Sequence, residues 1–471
     1  MARMLIGGEA VESDEVAEVR SPFDGSVVDL VPVAAQAHVE KALAAAEAAA
    51  RSMRKTTGYD RFLWLRKAAQ MLESRAEEFA TLLSREEGKT LAEARFEASR
   101  AIQTLEWSAE EAKRIVGEQV PLDGAPGGGG KLGFTIRVPC GVVAAVTPFN
   151  FPLNLVAHKL GPAIAAGNAV VLKPATDTPL VGIKLCELLI ESGVPAEAVQ
   201  VLTGAGSTVG MRLCSDPRVR KISFTGSYEV GEAICRAAGV KRVTMELGSN
   251  APLIVMDDAD LEKVAQATVA TGYSNAGQVC ISTQRVLVDE KVAADFLDAL
   301  RPKVEAIRTG DPLAPTTTMG PLIRESDAER VLAWIEEAVA QGAQKVVPTE
   351  RDGAILRPTV LTNVRPEMRI AREELFGPAV AVMRFSSLEE AIATANDSRY
   401  GLAAGVFTRD LERAAAFIRE VDAGNLHVNW GPQWRADLMP YGGLKDSGLG
   451  KEGPRYAVRE MTEEKMVVFH M

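Results

Sequence analysis

Two consecutive α/β units, each a mostly parallel sheet covered by helices, are the architecture this chain predicts. Short apolar runs at 141–147, 168–173, 199–202, 220–224 and 242–246 alternate with helix-type segments around 153–166, 178–192, 207–214 and 228–238. Strands that are apolar throughout, rather than at every second residue, belong in a sheet buried on both faces, and the intervening helices supply the cover. A second alternation runs from 252 to about 430, with strand candidates at 253–256, 284–288, 379–385, 403–407 and 425–429. The length of 471 residues, 47% hydrophobic and 25% charged, gives an ordinary globular composition with core enough for two or three domains.

The remaining elements follow in order. Residues 4–33 read as short strands joined by turns at Gly7-Gly8 and Pro22–Gly25, and residues 36–117 as Ala-rich helices with charges on their outer faces. At 118–138 the character changes, and Asp123-Gly-Ala-Pro-Gly-Gly-Gly-Gly130 makes a hinge or hairpin turn between two β-type segments. The tail at 460–470 ends in a strand-like run that neither unit needs, and left bare it would be an edge liability in a monomer.

Composition narrows the function. A net charge of −10 argues against a nucleic-acid backbone or an anionic membrane as partner, while leaving room for a small anionic substrate held by a local arginine. Five cysteines without metal-type spacing, and four scattered histidines, speak against a zinc site or a disulfide framework, so no metal is expected and the chain reads as cytoplasmic with reduced thiols. The uncharged stretch from Val138 to His158 is long enough to mimic a membrane span, but Pro139, Pro148 and Pro152 with Asn150 and Asn154 would strand polar groups in lipid.

Chemistry is concentrated in two segments. Cys280, in Asn275-Ala-Gly-Gln-Val-Cys280, has no CxxC partner, and upstream Glu246 opens Glu246-Leu-Gly-Ser-Asn250. A thiolate can attack a carbonyl carbon, and a carboxylate can later activate the water that releases the product. Each residue alone has a plainer explanation: a lone cysteine is most often inert and buried, and a lone glutamate can serve a helix N-terminus. Together, these segments resemble the cysteine and glutamate signatures of the aldehyde dehydrogenase superfamily, and the resemblance extends over nearly the whole chain. Thr147-Pro-Phe149-Asn150-Phe-Pro152 is similar to its PxNFP motif, Glu374-Leu-Phe376-Gly-Pro378 to its ExFGP motif, and Asn396–Leu402 to its NxxxYGL turn. Pro440-Tyr-Gly-Gly443-Leu-Lys-Asp-Ser447-Gly resembles the PxGGxKxSGxGxE motif that shapes the substrate site and subunit contacts.

The resemblance implies a fold and a division of labour. A Rossmann-variant cofactor domain is expected from 1–117 and 139–245, a second α/β catalytic domain from 246–430, and a small β oligomerisation element from 118–138 and 455–471, giving a homodimer or homotetramer. Cys280 would be the nucleophile, Asn150 the side-chain donor of the oxyanion hole, and Glu246 the base that hydrolyses the thioester. CoA-acylating relatives commonly lack that glutamate, so hydrolysis is favoured. Glu374 would hold the nicotinamide ribose, with Phe376 beside the ring. Phe224-Thr-Gly226-Ser227 looks like the FTGS turn, following a strand and opening a helix whose free N–H groups could face a pyrophosphate. Gly204-Ala-Gly206-Ser-Thr-Val-Gly210 is not the GxGxxG fingerprint and by itself reads as a turn before a helix.

Lys173 ends an apolar strand, where a cation suits a ribose hydroxyl or a phosphate. Thr176 stands where relatives that bind NAD tightly often carry a glutamate. Threonine removes that repulsion toward a 2′-phosphate, so NADP is accepted, while the neighbouring Asp177 leaves the choice between NADP and NAD open. Two departures from the family pattern, Ser249 for glycine and Phe149 for tryptophan, leave the chemistry intact and bear on substrate fit; the serine requires a negative φ. For the substrate, Phe149, Trp430 and Trp434 are candidate walls. Arg435 is a candidate partner for a carboxylate, phosphate or sulfonate, unless it pairs with Asp437 or faces solvent. Val279 next to the nucleophile is not the arginine of some phosphate-handling relatives. A small polar or acidic aldehyde of the lactaldehyde, glyceraldehyde or semialdehyde type is expected. The alternatives are a cysteine-dependent esterase or thioesterase, and a non-catalytic structural protein on the same scaffold. Lys173, Phe224–Ser227 and Glu374–Phe376 count against the former, and the three retained catalytic residues against the latter.

Overall fold

The computed structural model describes residues 1–471. The five apolar runs of the first half form one parallel sheet in the order Val199–Val201, Ala169–Lys173, Val142–Val146, Val219–Thr225 and Arg242–Glu246. Antiparallel additions widen it to eight strands, with Met4–Ile6 and Glu9–Val11 at one edge and Gly448–Leu449 at the other. Because the strand order reverses beside Val142–Val146, a crevice opens at the carboxyl ends of the strands. Those ends deliver Asn150, Lys173, Thr225 and Glu246 to one edge.

The second sheet has seven strands. Six of them, Thr359–Thr362, Ala379–Phe385, Thr283–Asp289, Ala251–Val255, Ala403–Phe407 and Asn425–Val428, run parallel in that order. The first-unit core extends from Met4 to Leu247 and the second-unit core from Leu253 to Val421. The strands and helices expected from the apolar runs are present, and the Ala-rich region resolves into Gln36–Met53, Gly58–Ser74, Ala76–Glu87 and Leu91–Ala112. Thr359–Thr362, a strand not anticipated, is short and polar at both ends.

Lys131–Pro139 pairs with Thr462–His470 along its whole length and with Gln119–Val120 on its other side, making a separate three-stranded sheet. The tail divides differently from the expected boundary at 455. The helix Pro454–Glu460 lies against the helices Asn154–Ala165 and Leu91–Ala112, and Val458 and Met461 are buried in the first-unit core. Only the strand after Met461 leaves that core. Truncating this anchor, Met461→Ala, should lower unfolding free energy by about 2–5 kcal/mol in a urea titration. A change near zero would show that the helix does not belong to this core.

Candidate functional site

Glu246 ends the last parallel strand of the first sheet, and after four residues the chain enters Ala251–Val255 of the second. This direct passage sets the carboxyl edge of one sheet against the amino edge of the other. Cys280 immediately precedes Thr283–Asp289, and Glu374 and Phe376 precede Ala379–Phe385. Between the two edges lies a cleft of ≈ 1040 Å³ lined by both halves, large enough for a dinucleotide and a small substrate together.

The Cys280 loop is unusual in its backbone. Asn275, Ala276 and Gly277 are consecutive left-handed residues, at φ 50°, 53° and 73°, a conformation that costs most side chains energy and needs support from its surroundings. That support is tight: a Cβ on Gly277 would stand 2.2 Å from the carbonyl oxygen of Gly377. Buried polar groups pin the loop on its other side. Glu93 accepts from the Asn275 amide at 2.7 Å, and Glu87 accepts from Asn275 Nδ2 at 2.8 Å. Lys89, itself paired with Glu97 at 2.6 Å, donates to the Asn150 carbonyl at 2.7 Å. Asn150 Nδ2 donates to the Gln278 carbonyl at 2.7 Å, so the Asn150 and Cys280 loops are joined directly.

Cys280 is half-buried, with Sγ 3.2 Å from the Tyr441 hydroxyl. Burial pushes its thiol up to about 12; the Tyr441 hydrogen bond opposes that, Glu374 and Glu246 add to it, and Arg435 again opposes it. Glu246 is 2% exposed, and neither carboxylate oxygen accepts a hydrogen bond from the protein. Burial, and then the neighbouring Glu452 carboxylate, hold its proton well above the usual carboxylate range, against the pull of Arg435, Lys159 and Lys451. Glu452 itself accepts from Lys159 Nζ at 2.8 Å, and the cations around it hold it down at about 2 despite its burial.

The Lys173 end of the cleft collects the other residues expected to hold a cofactor. Lys173 is almost fully buried with no carboxylate within ion-pair distance, and burial lowers it to about 8. Its ammonium lies 3.5 Å from Thr176 Oγ1 and beneath Gly206 and Gly210, so the glycine segment that reads as a plain turn in the sequence roofs this cation. Asp177 is taken by Arg324 across the cleft, Nε to Oδ1 at 3.0 Å. Ser227 caps the helix Tyr228–Ala238, its hydroxyl accepting from Val230 N at 3.4 Å, and Gly226 leaves room for the ring of Phe224. Glu374 Oε1 accepts from Ser249 N at 2.8 Å, and Ser249 sits at negative φ, as its replacement of glycine requires. Phe376 meets Phe149 edge to face at 6.0 Å.

At the far end, Phe149, Trp434 and Arg435 line the cleft with Phe96, Arg100 and Leu155. Trp430 does not line it, and its expected place as a wall is corrected. The chain reverses at Asn429, at φ 60°, and Trp430 follows onto the surface, 40% exposed. Arg435 neither pairs with Asp437 nor faces solvent. It is held by Glu452 at 3.3 Å, lies 4.0 Å over the Tyr441 ring and approaches His158 at 3.2 Å, while its buried Nε–H has no partner. Asp437 is engaged by Arg100 at 2.7 Å and His158 at 2.8 Å.

Several residues of this site were not singled out from sequence: Lys89, Lys159, Gln278, Tyr441 and Glu452. Glu452 had a signal, since it is the closing glutamate of PxGGxKxSGxGxE. The others sit in helices or loops whose partners are distant in the chain.

A profile of the aldehyde dehydrogenase family matches residues 10–467. The 3-sulfolactaldehyde dehydrogenase of Priestia aryabhattai is 47% identical over 99% of this chain and 98% of its own. The NADP-dependent glyceraldehyde-3-phosphate dehydrogenase of Bacillus halodurans C-125, solved with NADP, superposes with a TM-score of 0.97 at 36% identity over 99% of each chain. Aldehyde dehydrogenase 21 of Physcomitrella patens, solved with the reaction product succinate, superposes with a TM-score of 0.96 at 38% identity over 99% of this chain and 98% of that one. The chain belongs to the aldehyde dehydrogenase family. It is an oxidoreductase with that family's fold.

Proposed function

We propose that this enzyme oxidises a small aldehyde bearing an anionic group to the carboxylic acid, with Cys280 as nucleophile, Asn150 as oxyanion donor and Glu246 as hydrolytic base. The observation that carries the reading is convergence: these three side chains, from separate stretches of sequence, line the same cleft as Lys173, Gly226, Ser227 and Glu374. The buried Lys173 without a carboxylate suits an anionic or hydroxyl-rich ligand, which fits a nicotinamide dinucleotide. Lys173 and Thr176 would hold its adenosine ribose, and the N-terminal amides behind Gly226 and Ser227 its pyrophosphate. Glu374 and Phe376 would hold the nicotinamide end, and Phe224, packed against Gly226, would line the cofactor site. When bound, the dinucleotide accepts the hydride at C4 of its nicotinamide.

The chain's own residues do the rest. Sγ of Cys280 bonds to the aldehyde carbon, and the oxygen gains negative charge beside Asn150 Nδ2, which has one N–H on Gln278 and a second to give. After hydride loss the acyl group is a thioester on Cys280. Glu246 then takes a proton from water, whose oxygen attacks the acyl carbon and expels the Cys280 thiolate; the proton on Glu246 passes to that thiolate and the acid leaves. The lack of any hydrogen bond to the Glu246 carboxylate leaves both oxygens available for that water.

The substrate reading rests on Arg435, whose buried Nε–H has no protein acceptor and whose one ion pair is with Glu452. A sulfonate or carboxylate could accept it. The named substrate of the sulfolactaldehyde relative and the succinate of the moss enzyme have this chemistry. For the cofactor we favour NADP: Thr176 carries no charge, and Arg324 neutralises Asp177. We also propose a homodimer or a dimer of such dimers, formed through the three-stranded sheet, where Leu132, Ile136, Met466, Val468 and Phe469 are exposed. Five free cysteines suit a reducing compartment such as the cytoplasm, and no helix is long and apolar enough to cross a membrane.

The test is the appearance of reduced cofactor with NAD and NADP separately, across short neutral, carboxylated and sulfonated aldehydes. Turnover restricted to neutral aldehydes would remove Arg435 from recognition, and no turnover in folded protein would remove the reaction itself. Glu246→Gln should give a single burst of reduced cofactor and then stall with the acyl group on Cys280; an unchanged steady rate would take Glu246 out of deacylation. Thr176→Glu should shift the ratio of specificity constants toward NAD by about tenfold or more, and an unmoved ratio would mean the 2′ position is read elsewhere.

A further inference from the structure

Tyr441 is 3% exposed, and its hydroxyl has one hydrogen-bond partner in the protein, Cys280 Sγ at 3.2 Å. A buried phenol directed at a nucleophilic sulfur is more than packing, because phenylalanine would fill the same space without a polar atom to satisfy. Its position is fixed from both sides. The Tyr441 amide donates to the Glu452 carbonyl at 3.1 Å, and the Glu452 amide returns a bond to the Tyr441 carbonyl at 2.7 Å. The Glu452 side chain in turn holds Arg435 over the phenol ring, at 4.0 Å from its centroid.

The direction of the hydrogen bond follows from the charges nearby. Burial, and next the Cys280 thiolate, keep the phenol protonated well above its ordinary range, so Tyr441 keeps its O–H wherever the enzyme works. Once Cys280 is ionised, the only proton in the pair is the phenol's. Arg435 over the ring face draws electron density from it and makes the O–H a better donor. The other groups facing Cys280 are Glu246, Glu374 and Arg435, of which the two carboxylates disfavour a thiolate. Tyr441 is therefore the neutral donor that offsets them at the sulfur itself.

We propose that Tyr441 is a further catalytic residue of this enzyme, donating its phenolic proton in a hydrogen bond to the Cys280 thiolate and so raising the fraction of nucleophile available for attack. The proposal rests on Cys280 being the nucleophile. The thiol proton leaves to water, the Sγ–C bond forms, and the carbonyl π pair moves to oxygen; Tyr441 transfers no proton in the step.

The test measures alkylation of Cys280 by iodoacetamide between pH 6.5 and pH 9, with the labelled peptide identified by mass, because Cys140 and Cys235 are also partly exposed. The full-length protein is compared with Tyr441→Phe and with Tyr441 replaced by 3,5-difluorotyrosine, a more acidic phenol of nearly the same shape. Melting temperature and cofactor affinity serve as folding controls. A hydrogen bond to a charged group raises the thiolate fraction, but the bonded thiolate is also less nucleophilic, which cancels about half of the gain on a logarithmic scale. Tyr441→Phe should therefore alkylate about 3- to 10-fold more slowly at neutral pH, and the difluorotyrosine enzyme should alkylate faster than the tyrosine enzyme. Equal rates in all three overturn the proposal. So does a slow phenylalanine variant beside an unchanged difluorotyrosine one, since packing does not respond to phenol acidity. If the phenylalanine variant does not fold, the difluorotyrosine comparison decides alone. A Cys280 that no form of the enzyme alkylates overturns this proposal and the nucleophile assignment together.

Discussion

The short passage from Glu246 to Ala251 is the constraint on which the site depends. It carries the chain from the carboxyl end of one parallel sheet into the amino end of the next, so the two edges must face each other. Everything reactive is then a loop on one of those edges. Three side chains hold the passage in place: Ser447 donates to the Gly248 carbonyl at 2.7 Å, Gln284 to the Ser249 carbonyl at 3.1 Å, and Arg285 to the Asn250 carbonyl at 3.0 Å. Arg285 is almost fully buried and spends its guanidinium on backbone carbonyls, which identifies it as a fastening rather than a ligand.

Buried charge recurs around the cleft for a similar reason. Loops need partners for their backbone groups, and here titratable side chains from the helical region provide them. Glu86 accepts from the first amides of the helix Leu180–Glu191, and Glu97 from those of Asn154–Ala165. Glu86 and Glu87 are both pushed up to about 8 by burial, so these contacts come at the expense of desolvation. Replacing such groups by apolar ones often leaves stability unchanged or improves it. Their value here is geometric, since they hold the Asn150 and Cys280 loops together.

Much of this was legible in the sequence because parallel strands buried on both faces are apolar at every position. Val142–Val146 and Ala169–Lys173 could be read directly, and the ends of such strands locate a crevice without knowledge of loops. Thr359–Thr362 escaped because its threonines dilute that signal. That Cys280, Glu246 and Asn150 belong together was legible through their motifs, and they line one cleft, but the network around them was not legible. Lys89 and Glu97 look like surface charges on an Ala-rich helix until their loop partners are known. Arg435 illustrates the limit well: the sequence offered Asp437 two residues away as its partner, whereas folding gave Asp437 to Arg100 and His158 and gave Arg435 to Glu452. Sequence proximity is a poor guide in an irregular stretch such as 429–443, which also carries Trp430 outside the cleft.

The eighth strand of the first sheet, Gly448–Leu449, has a bearing on how the protein is made. It pairs with Arg242–Glu246, and the helix behind it completes a core otherwise composed of residues before 250. A ribosome therefore releases almost the entire first unit long before its last strand exists. Until then the edge of Arg242–Glu246 stays open and the wall behind Glu246 is missing. Such late, long-range closure is slow and leaves a pairing edge exposed. Vectorial folding, with the first unit complete before the second begins, is thus closed to this chain, because Gly448–Leu449 and the helix Pro454–Glu460 follow the whole second unit.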